Sequence, residues 1–440
     1  MSDPTKRLIL LELNEINFDI VEKYLSYFPG RFPAFKRLLE GPQVRTAAEQ
    51  NYDELEPWIQ WPSVHTTKTY SEHQIYRLGD MVGSDVPQIF EQIEKAGYKV
   101  GAISAMNAEN RLRQPAYFIP DPWTQTSSDS SWWSRSLTEA IAQAVNDNAQ
   151  AKITPKSALQ VLLGLIRFAR VKHYNRYIRL VLSAPTKPWS KALLLDLLLH
   201  DVHWGMFNAK RPNFSTLFLN AGAHIQHHYF FNASPLKGEL PHKNPEWYVQ
   251  QGKDPLADAL DLYDLIVGEY FSRPDTEVLL ATGLAQKPYD RVKFYYRLNA
   301  HASFLQRLGI SFTNVFPRMT RDFLIEFEND AQALQAQSIL SQVKVEHDGL
   351  PLFGEIDNRG QSLFVTLTYP HEISDSTKFE VDGRVKDLKP EVSFVAIKNG
   401  MHQSEGFAFF TPNVAAHAPQ DKSHVAKLGN SILDYFEVSK

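Results

Sequence analysis

A short, strongly apolar segment followed closely by an amphipathic one narrows the folds open to this 440-residue chain. Residues 7–13 (RLILLEL) are apolar along almost their whole length, and residues 18–28 carry apolar side chains near helical spacing. A strand can be apolar on both faces only where both faces are covered, as in a parallel sheet. Strand followed by helix is the first half of a βαβ unit, so the pattern predicts an α/β fold.

The same alternation recurs along the chain. A helical pattern at residues 86–96 ends at Gly97, and a strand pattern at residues 98–104 follows it. Further segments of these two kinds are the strands at 214–219, 277–281 and 391–397 and the helices at 255–271 and 423–436. We therefore predict a doubly wound, mostly parallel sheet sandwiched by helices.

Two segments interrupt this alternation. Residues 131–210 are helical in pattern, and residues 322–384 combine strand and helix patterns that are typical of a small α+β cap. We predict an α/β core formed by residues 1–130, 211–321 and 385–440, with a helical insertion and the cap between its parts.

The composition limits the chemistry and the expected location. The chain has no cysteine, so disulfides and thiolate ligands are excluded and any metal must be held by His, Asp, Glu or Asn. Glu12 interrupts the first apolar run before it could serve as a signal peptide, and no segment reaches the roughly 20 apolar residues of a membrane span. We expect a cytoplasmic protein. Nucleic acid is not an expected partner, because the net charge is −4 and no recognition motif occurs.

Positive charge is concentrated in one part of the chain. No Asp or Glu occurs from Asn148 to Leu195, whereas nine Lys and Arg residues do. Leu159–Leu182 combines five of these cations with many aliphatic side chains, a composition that can lie on an anionic membrane surface. Two interpretations stay open: residues 152–191 make peripheral contact with an anionic membrane, or they are a packed helical insertion whose cations face water.

Polar residues follow several of the predicted strands. Because ligands gather at the carboxyl ends of strands in open α/β sheets, we expect these residues to meet at one edge. Imidazoles and carboxylates together can hold a divalent cation, although each residue taken alone fits a helix cap or an exposed loop equally well. If residues 224–228 are extended, the adjacent His227 and His228 point in opposite directions, and only one of them faces the site. The residues concerned are Glu12, Asn14, Glu15, His224, His227, His228 and His402.

A tryptophan-rich segment lies at residues 56–67. Trp58 and Trp61, followed by Ser63 and His65, place aromatic faces beside a hydroxyl and an imidazole, which suits the binding of a sugar or a base. A buried aromatic contact at the start of a helix explains the same pattern. Ser63 and His65 are not assigned as nucleophile and base, since no third residue that would orient them is evident.

The order of these segments resembles the type I phosphodiesterase and nucleotide pyrophosphatase branch of the alkaline phosphatase superfamily. The resemblance spans most of the chain. It covers the opening strand and helix at Leu8–Tyr24, the segment Trp61–Gly79, the stretch Leu217–Tyr229, the strand at Glu277–Gln286 and the final Gly-x-His followed by an apolar segment at Gly400–Pro412.

Carried over to this chain, the family's functional positions are only partly preserved. His227 and His402 remain imidazoles, and Asn14 replaces the first metal-binding Asp. The positions that lose their functional group are the nucleophile near Pro57, the Asp near Ala223 and the Asp-His pair near Gly283 and Leu284. The resemblance therefore implies a degenerate metal site. It also suggests a role beside bacterial surface-polysaccharide synthesis, with sugar- or lipid-linked phosphates as ligands.

Two functions of different classes stay open. The first is a hydrolase or transferase of phosphoryl-type esters that uses one divalent cation, zinc or manganese, and binds substrate through Trp58, Trp61 and Ser63. Its catalytic candidates are Glu12, Glu15, His65 and His224, and its metal ligands are Asn14, His227 and His402. The second is a catalytically inactive protein without metal that binds a phosphorylated or glycosylated ligand or a partner protein.

Overall fold

The computed structural model describes residues 3–146, 155–318 and 321–438, which form two compact units. The first unit contains the described residues up to 288 and those from 400 onward, and the second contains residues 289–399. The helical segment predicted at 131–210 belongs to the first unit. Residues 289–321 and 385–399, which the sequence pattern assigns to the core, belong to the second unit, so the predicted cap at 322–384 is only part of it.

Strands and helices alternate through most of the chain. The strands are β1 (Leu8–Leu13), β2 (Gln43–Ala47), β3 (Val100–Ile103), β4 (Tyr117–Ile119), β5 (Phe214–Leu219), β6 (Glu277–Ala281), β7 (Ala285–Leu298), β8 (Asn314–Pro317), β9 (Asp322–Glu326), β10 (Lys344–Val345), β11 (Glu355–Asn358), β12 (Ser362–Thr366), β13 (Lys378–Val381), β14 (Arg384–Asp387), β15 (Val392–Gln403), β16 (Glu405–Phe410) and β17 (Ser423–His424). The helices are α1 (Phe18–Tyr27), α2 (Pro33–Leu39), α3 (Pro57–Thr66), α4 (Tyr70–His73), α5 (Ile89–Lys95), α6 (Trp132–Asn146), α7 (Pro155–Phe168), α8 (Tyr174–Ser183), α9 (Ser190–Lys210), α10 (Ala221–Tyr229), α11 (Pro255–Phe271), α12 (His301–Arg307), α13 (Asp330–Gln342), α14 (Pro412–Ala415) and α15 (Lys427–Tyr435).

An eight-stranded sheet forms the centre of the first unit. Its strand order is β17-β2-β16-β6-β1-β5-β3-β4, and the five strands from β6 to β4 run parallel. Strand β16 is antiparallel to both of its neighbours, β6 and β2. The predicted α/β class with a mostly parallel sheet is therefore confirmed.

Helices cover both faces of this sheet. Side chains of β1 alternate between two cores, as the two-residue period of a strand requires. Ile9, Leu11 and Leu13 pack among residues of α1, α9, α10 and α11, whereas Leu8 and Leu10 pack among residues of α3, α5 and α15. Burial on both faces explains why the first strand is apolar at every position except Glu12.

The predicted strand at residues 391–397 has a different place in the fold. Strand β15 is longer than predicted and pairs with β7 in a two-stranded sheet. The strand that enters the main sheet is the following one, β16, which the sequence pattern did not single out. Within the second unit, β11-β12-β9-β8 form an antiparallel sheet and β10-β13-β14 form a smaller one.

The segment between β4 and β5 is helical, as its pattern predicts. Helix α7 packs against α6 and α9, and α8 packs against α9. Gly164 permits the close approach of α7 to α6, because a Cβ atom there would lie 2.9 Å from Leu137 Cδ2. None of the helices in the described part of the chain has the length and apolar character needed to span a lipid bilayer.

Candidate functional site

Neighbouring strands deliver polar side chains to one edge of the main sheet. The parallel strands β5, β1 and β6 all end at this edge, and the antiparallel strand β16 begins there. Glu15 follows β1, His227 lies on α10 after β5, and His402 lies at the end of β15, three residues before β16 begins. The structure brings these three residues together, as the topology predicts.

The three side chains have the spacing of ligands around one ion. Glu15 Oε2 lies 3.1 Å from His227 Nε2 and 3.1 Å from His402 Nε2, and the two Nε2 atoms are 3.3 Å apart. Ligand atoms at about 2.0–2.1 Å from a tetrahedral zinc ion are about 3.3 Å from one another. A divalent cation therefore fits this donor set, which consists of one carboxylate oxygen and two imidazole nitrogens.

The backbone of Glu15 is fixed in an uncommon conformation. Its φ of 60° lies in the left-handed region, which costs about 1 kcal/mol or more for a residue other than glycine. The Glu15 N–H donates to the carbonyl of Thr282 at 3.0 Å, and the Glu15 carbonyl accepts from Gln226 Nε2 at 2.8 Å. These hydrogen bonds hold the carboxylate where the two histidines meet.

The carboxylate of Glu15 is oriented by two amides. Asn14 Nδ2 donates to Oε1 at 2.9 Å, and Gln286 Nε2 donates to Oε2 at 2.5 Å. The Asn14 oxygen instead accepts from the indole N–H of Trp61 at 2.8 Å. Asn14 thus turns its nitrogen toward the site and positions Glu15, in place of the ligand role predicted for it.

The electrostatics of this cluster favour positive charge. Burial opposes the charge on Glu15, but the imidazoles of His402 and His227 outweigh it and hold the pKa of Glu15 well below its usual range. Burial likewise opposes charge on His402, and Glu15 outweighs burial and raises the pKa of His402. Either a proton on an imidazole or a divalent cation satisfies the buried carboxylate, and the cation would replace the proton.

Glu12 and His65, which the sequence suggests as catalytic residues, lie inside the protein. Both side chains are 0% exposed, and His65 Nε2 lies 3.0 Å from Glu12 Oε1. Thr216 Oγ1 also donates to Glu12 Oε1. Glu12 lies on the same face of β1 as Leu8 and Leu10, which pack against α3, whereas Glu15 lies beyond the end of the strand. The predicted catalytic residues Glu12 and His65 thus form a buried pair apart from the cluster of Glu15, His227 and His402.

The tryptophan-rich segment forms helix α3 instead of an open binding platform. Trp61 is 0% exposed, and Gly283 lies against its indole. A Cβ atom at position 283 would lie 3.1 Å from Trp61 Cε2. Trp58 is partly buried and donates its N–H to the carbonyl of Tyr76 at 3.1 Å. The alternative interpretation, a buried aromatic contact near a helix start, therefore describes Trp61.

Ser63 is not an activated nucleophile. Its Oγ lies 3.0 Å from His73 Nε2 and donates to the carbonyl of Ile59 at 3.2 Å. His73 Nδ1 accepts the N–H of Ile75 at 2.9 Å, and burial lowers the pKa of His73 to about 4. The neutral ring then carries its proton on Nε2 and donates it to Ser63, which is the wrong direction for a general base.

The histidines after β5 share one helix face. Residues 221–229 form helix α10, so His224, His227 and His228 lie together, whereas an extended segment would place His227 and His228 on opposite sides. The rings of His224 and His228 are 4.7 Å apart. Burial, assisted by His227, lowers the pKa of His224 to about 4. His224 lies beside the cluster as a neutral imidazole and is not one of its converging ligand atoms.

Three residues that shape the site carry weak sequence signals. Gln286 contacts Glu15 from the start of β7. Glu56, at the N-terminal end of α3, places Oε2 3.6 Å from His402 Nδ1. A Cβ atom at Gly400 would lie 2.1 Å from Gln286 Oε1 and 2.7 Å from the Gln226 carbonyl, so only glycine fits there. Glu56 directly precedes Pro57, the position at which the resemblance places a nucleophile. This was the one sequence signal that Glu56 lies near the site.

A second cluster of possible ligands lies in the helical insertion. His173, His200 and Asp201 converge there, but the guanidinium of Arg170 lies between them. Arg170 Nε donates to Asp201 Oδ1 at 2.6 Å, and Arg170 Nη2 lies 2.6 Å from His200 Nε2. Glu269 on α11 completes the network through His173 and Arg170. A protein cation already fills this cluster, so its role is to join the insertion to α11.

Several solved structures match the chain over nearly its full length. They are phosphonoacetate hydrolase from Sinorhizobium meliloti in complex with phosphonoacetate (14% identity, 98% of this chain and 96% of that chain, TM-score 0.42), alkaline phosphatase from the Antarctic bacterium TAB5 (11%, 99% and 99%, 0.42) and murine ectonucleotide pyrophosphatase/phosphodiesterase 5, an inactive variant with AMP (10%, 99% and 96%, 0.41). All three of these proteins are members of the alkaline phosphatase superfamily. No family model and no curated protein matches the sequence. At TM-scores near 0.4 these matches support no conclusion about the function of this chain. The chemistry of the site is therefore inferred from its own side chains.

Proposed function

We propose that the first unit binds one divalent cation through Glu15, His227 and His402 and hydrolyses a phosphorylated small molecule at that edge of the sheet. The observation that carries the proposal is the convergence of Glu15 Oε2, His227 Nε2 and His402 Nε2 to mutual distances of 3.1–3.3 Å. A cation held by three protein ligands keeps coordination positions open for a ligand.

One cation suits this site better than two. Gly283 and Leu284 occupy the positions where the resemblance places a further Asp-His pair. Neither residue carries a ligand atom, Leu284 is 0% exposed, and Trp61 fills the space that a side chain at position 283 would need. The indole thus replaces the second half of the site and, through Asn14, supports the first half.

The chemistry expected of such a site follows from its parts. A divalent cation polarises a phosphoryl oxygen and lowers the pKa of water. Asn14 and Gln286 hold the Glu15 carboxylate in place, and the backbone of Leu55 accepts a hydrogen bond from His402. Such outer contacts orient metal-binding side chains. Since Pro57 has no nucleophilic atom and Ser63 Oγ is hydrogen-bonded within α3, we propose water as the attacking group.

A ligand-binding protein without catalytic activity is the second candidate. Pro57 favours it, because loss of the aligned nucleophile removes much of the rate acceleration that a slow phosphoester reaction needs. In contrast to the metal-free protein considered from the sequence, this candidate keeps the cation, which would hold the phosphoryl group without turnover. A sugar- or lipid-linked phosphate as the ligand, and a cytoplasmic location, stay predictions under both functions.

A substrate screen with a matched variant separates the two candidates. The full chain, loaded with zinc or manganese, is assayed on nitrophenyl phosphomonoester, phosphodiester and sulfate ester substrates beside Glu15→Gln and a control variant, His371→Ala, whose histidine is exposed and lies in the second unit. Hydrolysis of a phosphate ester that Glu15→Gln loses by about 100-fold or more and His371→Ala retains supports the enzyme.

The complementary result supports the binding protein. In that case no ester is hydrolysed, while a phosphonate binds only in the presence of the cation and only when Glu15 is intact. Neither turnover nor cation-dependent binding of a phosphonate would refute both functions.

A further inference from the structure

Exposed apolar side chains are concentrated in the helical insertion. Of the 17 large hydrophobic residues that are exposed in the described part of the chain, 8 lie between residues 159 and 182. They are Leu159, Leu162, Ile166, Val171, Tyr174, Ile178, Val181 and Leu182. A cluster of this kind marks an interaction surface, because single exposed hydrophobic residues are normally scattered.

These side chains form stripes on two helices. On α7, Leu159, Leu162 and Ile166 follow the spacing i, i+3, i+7, which places them on one helix face. The opposite face of α7, with Gly164 and Phe168, is buried against the rest of the unit. Packing of α7 against its neighbours therefore leaves a separate apolar stripe uncovered.

Helix α8 repeats the arrangement. Tyr174, Ile178 and Val181 follow the spacing i, i+4, i+7, which also places them on one helix face, and are 47%, 55% and 54% exposed. Tyr177 on the other face is buried and donates to the carbonyl of Leu197 on α9. Two residues of the group are the most exposed. Val171, which precedes α8, is 77% exposed, and Leu182, in the last turn of α8, is 75% exposed.

Cations predominate around these stripes, and two of them are paired with carboxylates of other helices: Lys156 with Glu139 and Lys172 with Glu269. Residues 148–195 contain no Asp or Glu. Lys156, Arg167, Lys172, Arg179 and Lys191 are exposed in this segment. A second copy of the same surface would carry the same charge and repel it, whereas phosphate and carboxylate headgroups of an anionic bilayer would complement it.

From these observations we propose that α7 and α8 dock on an anionic lipid surface. The two apolar stripes enter the region between headgroups and acyl chains, and the surrounding cations contact the headgroups. The helices lie along the bilayer, since α7 has 14 residues and α8 has 10, which is shorter than a membrane-spanning helix. This surface is independent of the cation site, and its test does not involve catalysis.

Vesicle sedimentation of the full chain tests the docking surface. We expect binding to vesicles of phosphatidylcholine and phosphatidylserine, little binding to phosphatidylcholine alone, and a loss of most binding between about 0.05 M and about 0.5 M salt. The variants Ile166→Ser and Leu182→Ser should each weaken binding by about tenfold, which corresponds to removing one inserted side chain. Both replace exposed residues, and a thermal melt of each variant verifies that it is folded.

Matched substitutions elsewhere serve as controls. Leu334→Ser removes a side chain that is 61% exposed on α13, and Arg291→Gln is compared with Arg179→Gln for the contribution of charge. The controls should bind vesicles like the unmodified protein. The proposal is overturned if the protein does not bind vesicles, or if the control substitutions weaken binding as much as the stripe substitutions. It is also overturned if the stripe substitutions change only the oligomeric state, as measured by analytical ultracentrifugation.

Discussion

Trp61 Nε1 donates a hydrogen bond of 2.8 Å to Asn14 Oδ1, joining α3 to the residue that directly follows β1. Asn14 passes this constraint on, because its nitrogen contacts both Glu15 Oε1 and Asn220 Oδ1. The amide can donate toward Glu15 only while its oxygen faces the indole. The buried tryptophan therefore determines which end of Asn14 faces the site.

Replacing this donor should weaken the site without unfolding the protein. Trp61→Phe keeps most of the ring and removes the N–H, so we expect a loss of about 1 kcal/mol in the free energy of unfolding and several-fold weaker cation binding. Trp58→Phe is the matched control, because its hydrogen bond goes to Tyr76 and not to Asn14. Urea unfolding and cation titration measure the two effects. Equal cation affinity in both variants would contradict the positioning role of Trp61.

The glycine two positions before His402 is required by packing. Gly400→Ala would place a methyl group 2.1 Å from Gln286 Oε1, and the Gln226 backbone closes the other side. We expect a destabilisation of about 1–3 kcal/mol together with weaker cation binding, since Gln286 would move away from Glu15. Denaturant unfolding and calorimetric titration report the two quantities. A variant with unchanged stability would show that the glycine is not needed for space.

The buried pair Glu12 and His65 should contribute to folding only. His65→Leu leaves the Glu12 carboxylate buried without its partner, so we expect a loss of about 3 kcal/mol or more. The double variant Glu12→Leu/His65→Leu should recover most of that loss and bind the cation normally. Chemical denaturation of the single and double variants forms the cycle. If the double variant folds but does not bind the cation, Glu12 and His65 contribute to the cation site and not only to folding.

Acid should weaken the network that joins the helical insertion to α11. Burial opposes the charge on Glu269, but hydrogen bonds from His173 and His200 outweigh it and lower its pKa. A depressed carboxyl pKa contributes stability above the unfolded value near 4.5, and that contribution is lost as the pH falls through the folded value. The contribution of Glu269 should therefore be complete at pH 6 and decrease below about pH 4.5.

A variant isolates this residue from the other titrating groups. Glu269→Gln removes the carboxylate that pairs with Arg170 and Lys172 and should cost about 3 kcal/mol at pH 6. The difference in unfolding free energy from the unmodified protein should shrink as the pH falls from about 5 to about 3. Guanidinium unfolding of both proteins at each pH measures this difference. If the difference in unfolding free energy stays constant across that range, the carboxylate is not its cause.

Much of the first unit follows directly from sequence patterns. Strands β5 and β6 and helix α11 lie where their apolar patterns predict them, since burial on both faces or on one stripe leaves a clear period. The meeting of Glu15, His227 and His402 also follows from topology, because parallel strands release their carboxyl ends at one edge.

Other features depend on contacts that no local pattern contains. The direction of Glu12 depends on the pleat of β1, and the tautomer of His73 depends on the Ile75 N–H. The insertion of strand β16 between β2 and β6 was not predicted, because it depends on pairing with segments far away in the sequence. Gln286 and Glu56 are of ordinary residue types, and only their contacts with Glu15 and His402 distinguish them.

Cation stoichiometry is the most direct test of the account. Protein purified without chelator and equilibrated with zinc or manganese is analysed by plasma mass spectrometry and calorimetric titration, beside Glu15→Gln, His227→Ala, His402→Ala and the control His371→Ala. We expect one ion per chain in the unmodified protein and the control, and affinity at least about 100-fold lower in the three site variants. Binding of no ion, or of an ion that all three site variants retain, would contradict the site built on Glu15, His227 and His402.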